Sequence, residues 1–457
     1  MKLKQLYIPL ATSRPAQDSQ ADVKHLRNGS ANKLSLRDRA FHDWYRFVLS
    51  FPPHLVRHYL EEFGLDDRHV VLDPFCGTGT TLVEAKINRV RAIGVEANPF
   101  AHFASSVKVD WSIRPDLLSA YAKSVADLAS STLKAQGIDD DRPLGGNAKD
   151  IPLRTLNDEM LNLLLTDSLS PLALHKTLVL LDCLRKRENK PFYRHGLLAL
   201  ANALVFKISN LHFGPEVGVG KLKGNVPVIS SWLSETEKIA EDLRCVKGES
   251  YPDSSVHLGD SREIGRIIPK NTVDAVITSP PYPNEKDYTR MTRLESVILG
   301  FIKSKEDLRN TKKKLVRSNT RGVYKGDDDD KWIAGHRAIH SVADAIEKRR
   351  VELGKDSGFE RLYPKVTKLY FGGMARHLAD LRTVLRRGAH LAYVVGDQAS
   401  YLRVMIRTGQ LLTDIAQSLG YEPVRLDLFR TRFATSTKEQ LREEVVILRW
   451  KGNWGKP

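Results

Sequence analysis

Cysteine is scarce in this chain, with three residues in 457: Cys76, Cys183 and Cys245. Three thiols build no disulfide framework, and without paired CxxC motifs a zinc site of the usual spacing is excluded. Long apolar runs are also missing, and none approaches the roughly 18 residues that a membrane-crossing helix needs. The N-terminal stretch MKLKQLYIPLATSRPAQDSQ lacks the continuous apolar segment of a secretory signal. A reducing cytoplasm is the expected setting. Acidic charge is in deficit, because 71 Lys and Arg face 55 Asp and Glu for a net of +16. Such a surplus concentrates polyanions at the surface, so phosphate-bearing partners are favoured. With 41% hydrophobic residues the chain can still bury a large core, which argues against disorder throughout.

The order of elements is readable from pattern. Residues 1–40 are polar and broken by Pro9, Pro15 and Gly29, as in a loosely ordered arm. Leu55, Tyr59 and Phe63 recur every fourth residue after Pro52 and Pro53, which predicts an amphipathic helix ending near Gly64. A short apolar run at Val70, Val71 and Leu72, a glycine-threonine turn, a helical stretch and a second run ending at Glu96 then form a β-α-β unit. From 113 to 250 leucines repeat at helical spacing, so this part reads as a mainly helical insertion. The α/β pattern returns at 251–302, gives way to a polar, basic loop-like insertion at 303–365, and resumes at 366–457, where residues 369–397 read as helix, Gly388, then strand. The expected fold is α/β: one doubly wound, Rossmann-like sheet with core parts at 41–112, 251–302 and 366–457, carrying a helical insertion and a basic loop insertion.

Two motifs carry chemistry. Asp73-Pro74-Phe75-Cys76-Gly77-Thr78-Gly79-Thr80 lies between a strand and a helix, where glycines admit a ligand close to backbone N–H groups at a positive helix end. Glu96, 17 residues past Gly79, is placed to accept the two hydroxyls of a ribose. The loop is neither GxGxxG nor GxxxxGK[ST], so nicotinamide enzymes and P-loop ATPases lose ground. The second motif, Ser279-Pro280-Pro281-Tyr282, ends a predicted strand. Consecutive prolines hold carbonyls toward a crevice as acceptors for an amino group, while the tyrosine can stack on a planar base. Cys76 sits in the glycine turn and reads as a small packing residue rather than a nucleophile.

Together DPFCGTGTTLVEA with Glu96, GDSRE at 259–263 and TSPPY resemble the S-adenosylmethionine-dependent DNA amino-methyltransferases, and the SPPY form is similar to the N4-cytosine members. The resemblance spans most of the α/β portion. It implies that Phe51 and Pro52 contact the methionine part of the cofactor, that Asp73, Phe75, Gly77, Thr78, Gly79 and Thr80 form the cofactor loop, that Glu96 holds the ribose and that Asp260 meets the adenine amino group. It further implies that Ser279, Pro280, Pro281 and Tyr282 bind and activate a flipped-out target base in double-stranded DNA. GDSRE follows the insertion instead of preceding it, which leaves the circular-permutation class open.

The insertions are candidates for DNA contact. Residues 303–325 hold nine Lys or Arg against Glu306 and Asp307, a net of +7, and Lys312, Lys313, Lys314, Arg317 and Arg321 are expected at phosphates. Lys221 and Lys223, in the glycine-rich stretch of the helical insertion, are weighed equally between phosphate contact and a surface loop. The aspartate run at 327–330 has no EF-hand spacing and is expected to be solvated. His336 and His340 lack a third ligand, so no metal is expected. The resemblance thus predicts a nucleoid-associated DNA N4-cytosine methyltransferase of a restriction-modification or defence system, paired with a separately encoded endonuclease. N6-adenine methylation, RNA base methylation and a catalytically silent DNA-binding scaffold are the rival readings.

Overall fold

In the computed structural model the described residues are 34–35, 38–47, 50–142, 151–214, 216–434 and 439–452. Most of the expected N-terminal arm lies outside them. Helix α1 (Pro53–Glu62) starts on Pro53, whose fixed φ suits a first helical position, and stops where Gly64 takes φ 62°. Strand β1 (Val70–Asp73) is buried at every position, the signature of a central parallel strand. Next come α2 (Thr80–Ile87), β2 (Arg91–Glu96) and α3 (Pro99–Lys108), whose N-terminus is capped by the Asn98 side chain accepting from Phe100 and Ala101 N–H.

The helical insertion holds α4 (Pro115–Ala135), α5 (Pro171–Arg185), α6 (Tyr193–Ala203) and α7 (Val228–Cys245), with a small hairpin of β3 (Leu211–Phe213) and β4 (Val217–Val219). Its core is continuous with that of the sheet: Leu118, Leu180, Leu198 and Trp232 join the same apolar cluster as Val71, Ala275 and Ile277.

The sheet is completed by β5 (Ser254–Leu258), β6 (Val273–Thr278), β7 (Leu385–Gly396), β8 (Tyr421–Ala434) and β9 (Glu439–Trp450), in the order β5-β2-β1-β6-β7-β9-β8. The first five run parallel, and β9 is antiparallel to both β7 and β8. Alternate residues serve opposite faces. Ala275 and Ile277 join the cluster with the insertion, while Val276 joins a second cluster with Phe371, Leu378 and Ile415; Val273, across the register shift with β7, joins that second cluster too. From β1 the chain moves outward to β2 and β5, then returns to β6 and β7, so the order reverses between β1 and β6. A crevice opens at that point beyond the strands' carboxyl ends.

Two details depart from the sequence pattern. The segment 303–365, expected as a basic loop, is largely helical: α8 (Lys305–Lys313) begins with a Ser304/Asp307 capping box, and α9 (Arg337–Glu352) buries Ile339, Ala343 and Ile346 on one face. Its polarity belongs to the solvent face of short amphipathic helices. Helix α10 (Tyr363–Leu381) follows, and β7 starts at Leu385, before Gly388, which the pattern placed ahead of the strand. Gly388 takes φ 93° where the β6–β7 register shifts, so it serves a bulge inside the strand. The last helix among the described residues is α11 (Thr408–Ser418).

Candidate functional site

The crevice is a cavity of about 360 Å³, within the usual range for a small-molecule site. The turn after β1 forms one wall. Gly77 and Gly79 take φ 51° and 86°, and a Cβ on Gly79 would lie 3.0 Å from Cβ of Ser105, so glycine is required for this close approach. The Gly77 N–H donates to Oε2 of Glu96 at 2.8 Å, and Asn98 N–H donates to Oε1 at 2.7 Å. These bonds fix the carboxylate at the cavity wall, while burial raises its pKa to about 7.

Asp73 lies beneath the turn, fully buried. Its Oδ1 accepts from Thr278 Oγ1 and from Phe75 N–H, whereas Oδ2 has no partner among the described residues. Burial raises its pKa to about 6. Thr78 Oγ1 is likewise buried and unpartnered. Two orphaned polar atoms at this turn, whose Phe75, Cys76, Gly77 and Gly79 N–H groups are already bonded within the protein, fit a polar ligand that supplies the missing partners. The same wall explains Cys76: a Cβ on Gly94 would sit 2.9 Å from its Sγ and 2.7 Å from Cδ1 of Leu82, so the thiol fills a packed pocket, and burial raises its pKa well above the usual thiol value.

Of the residues expected around a cofactor, Phe51, Pro52, Phe75, Gly77, Thr78, Thr80 and Glu96 line this cavity, while Asp73 and Gly79 support it from behind. Asp260 is placed differently. Its carboxylate is held by Arg262 at 2.6 Å, and its neighbours Gly259 and Ser261 reach the cavity instead. Arg262 in turn pairs with Asp329, which is 4% exposed. Asp327 pairs with Arg317 at 2.7 Å. The aspartate run expected in solvent is therefore partly an internal clamp. Gly372 allows it, since a Cβ there would collide with the Asp329 carbonyl.

The Ser279-Pro280-Pro281-Tyr282 segment leaves the carboxyl end of β6 and forms another wall of the same cavity. Ser279 Oγ donates to the Val394 carbonyl at 3.2 Å, and the Tyr282 N–H bonds the Tyr288 hydroxyl at 3.0 Å. Tyr282 is half-buried, and desolvation with the nearby Glu443 charge raises its phenol pKa. The cavity thus joins the Glu96 carboxylate, the glycine turn and the Tyr282 ring.

The seven expected DNA contacts divide. Lys312 pairs with the buried Asp287 at 2.7 Å, and Arg317, 4% exposed, is held by Asp327, so both are spent inside the fold. That revises the expectation for these two. Lys314 lines the cavity, Lys313 and Lys221 are exposed, and Arg321 lies over the Phe359 ring at 5.8 Å. Lys223 folds back onto the Lys207 carbonyl at 2.8 Å. The sequence reading missed Tyr288, Phe429, Arg430 and Glu443, all of which line the cavity. No spacing rule could have found the last three, because they come from the distant hairpin β8–β9 and enter through sheet pairing.

A family model described as DNA methylase, of the N6/N4 methyltransferase type, matches residues 19–105. The Type II methyltransferase M.BsoBI of Geobacillus stearothermophilus is 26% identical across the whole of this chain and 92% of its own length. The Type II methyltransferases M.AvaI of Nostoc sp. (strain PCC 7120) and of Anabaena variabilis are each 21% identical over 87% of this chain and 82% of theirs.

Proposed function

We propose, for this chain of the N4/N6 amino-methyltransferase family, transfer of a methyl group from S-adenosylmethionine to the N4 amine of a flipped-out cytosine in double-stranded DNA. The observation that carries the reading is the shared cavity of the glycine turn with Glu96 and the Ser279-Pro280-Pro281-Tyr282 segment. When bound, the cofactor supplies an electrophilic methyl on a sulfonium. Glu96 would take its ribose hydroxyls, the Gly77 and Thr78 turn would cradle it, and Phe51 and Pro52 would flank its methionine part. With Asp260 committed to Arg262, Gly259 and Ser261 are better placed at the adenine end.

The chain's own work is positioning. A cytosine amine delocalises its lone pair into the ring; accepting its hydrogens on Ser279 Oγ and the Pro280 carbonyl localises that pair and aims it. Tyr282 replaces stacking lost when the base leaves the duplex. Such alignment, with fixed dipoles around the developing charge, is where the rate enhancement arises. Serine ahead of Pro-Pro-Tyr favours cytosine over adenine. Lys313, Lys314, Arg321 and Lys221 are the remaining candidates for phosphate contact. The relatives' names, Type II methyltransferases, support a role in a restriction-modification system; a separately encoded endonuclease and a place in the cytoplasm, at the nucleoid, complete the proposal.

Labelled methyl transfer to duplex DNA and to tRNA tests the reading. Transfer to DNA, lost in Ser279→Ala/Tyr282→Ala while salt-dependent DNA binding persists, supports it. Transfer to tRNA alone would favour an RNA enzyme, and DNA binding without transfer in the parent protein would favour a scaffold.

A further inference from the structure

One charged pair lines the cavity beside Tyr282. Arg430 of β8 donates from Nε to Oε2 of Glu443 on β9 at 2.6 Å and from Nη2 to Oε1 at 2.8 Å. The guanidinium also lies 5.9 Å from the Phe429 ring centre. Arg430, Glu443 and Phe429 all face the space shared with Ser279 and Tyr282.

The backbone is shaped to put them there. The β8–β9 register slips between Leu428 and Arg430, so Phe429 is an extra residue in its strand. In a regular strand neighbouring side chains point to opposite faces, but at this bulge Phe429 and Arg430 both reach the cavity. Pairing carries the row inward: Arg430 lies opposite Glu443, and Glu443 opposite Gly396 of β7. A Cβ on Gly396 would stand 3.2 Å from Cε2 of Tyr282 and 3.3 Å from Cγ of Glu443. Tyr282, packed against Gly396 of β7, therefore stands in a row with Glu443 of β9 and Arg430 of β8, on neighbouring strands roughly 4.8 Å apart. Ser279 bonds the carbonyl of Val394, two residues before Gly396 and so roughly 7 Å along β7.

A base lying on Tyr282 with its amine at Ser279 offers its remaining edge to this row. Cytosine and adenine both present an amine and an adjacent acceptor nitrogen. They differ one atom further on, where cytosine has the carbonyl oxygen O2 and adenine has a C–H. Arg430 gives two N–H groups to Glu443 and has others left over. We propose that Arg430, oriented by Glu443, donates to O2 of the target cytosine and sets the preference for cytosine over adenine. This rests on the amino-methylation reading and deepens it by naming the specificity residue. Adenine at the same place would leave a sheltered guanidinium N–H facing carbon, which costs binding.

The test compares kcat/KM on two duplexes that carry the enzyme's mapped site, one with cytosine and one with adenine at the target position. In Arg430→Ala the value for cytosine is expected to fall roughly 10- to 100-fold while that for adenine changes by less than about 3-fold. Glu443→Gln should move the same ratio by a smaller factor, because the guanidinium loses its anchor. Equal losses on both bases, an unchanged preference, or a loss of S-adenosylmethionine affinity in Arg430→Ala would overturn the proposal. A parent enzyme that modifies only adenine is a separate outcome, seen before any variant is made, and it overturns the cytosine reading itself.

Discussion

The hydroxyl of Thr278 donates to Oδ1 of Asp73 at 2.6 Å, tying together the carboxyl ends of two adjacent strands that are 205 residues apart in the chain. Both residues are fully buried. One ends the strand that feeds the glycine turn, the other the strand that feeds Ser279. This side-chain bond, with the pairing of β1 and β6 and the Thr81 Oγ1 bond to the Ile277 carbonyl, joins the two halves of the cavity at their base, where the strand order reverses.

Thr278→Val removes that donor and leaves Asp73, whose Oδ2 already lacks a partner, poorer by another bond. The expected cost is about 1–3 kcal/mol of unfolding free energy. Cofactor affinity should weaken with it, because the turn is held from below. Urea unfolding and a cofactor titration check both, and an unchanged midpoint with unchanged affinity would show the bond to be unimportant.

Glu96 sets a pH dependence with a definite sign. Its folded pKa is raised from 4.5 to about 7, so the fold favours the protonated form. The associated stability is present below pH 4.5 and is lost as pH rises toward 7. Glu96→Gln does not titrate, so its stability relative to the parent should increase over that window. Ribose hydroxyls donate better to a carboxylate than to an acid, so parental cofactor affinity should fall as pH drops below about 7, and the Gln variant should bind weakly with no such slope. A parallel pH profile in the two proteins would contradict this role.

Much of this architecture can be read from the chain because local pattern and tertiary place agree. Val70, Val71 and Leu72 are apolar without interruption since β1 is covered on both faces, and the turn that follows needs glycine where φ is positive. The basic insertion misled because charge density says nothing about which charges are paired. Lys312 and Arg317 look like their neighbours in sequence, yet each meets a sheltered aspartate. Arg430 and Glu443 were invisible for another reason: a bulge at Phe429 and the pairing of β8 with β9 bring them to the cavity, and neither leaves a motif.

Cys76 is a packing residue, so Cys76→Ala should keep methyl transfer within a few-fold of the parent. By contrast, Gly94→Ala forces a methyl to 2.7 Å from Leu82 and should destabilise the fold by about 1–3 kcal/mol. A loss of activity beyond roughly 100-fold in Cys76→Ala, with the fold intact, would point to covalent catalysis instead.

Lys313 and Lys314 are exposed, and Lys314 lines the cavity. Replacing both by Ala should weaken DNA binding and reduce the salt slope by about 1 to 2. Lys312→Ala should instead act through stability, because it uncovers Asp287. Filter binding across a salt series separates the two, and an unchanged slope in the double variant would place the phosphate contacts elsewhere.

The most direct measurement digests DNA treated with the enzyme and S-adenosylmethionine to nucleosides and identifies the methylated base by mass. Methyl transfer to a cytosine amine predicts N4-methylcytosine, absent with Ser279→Ala/Tyr282→Ala. N6-methyladenine alone, 5-methylcytosine, or no methylated nucleoside would contradict it.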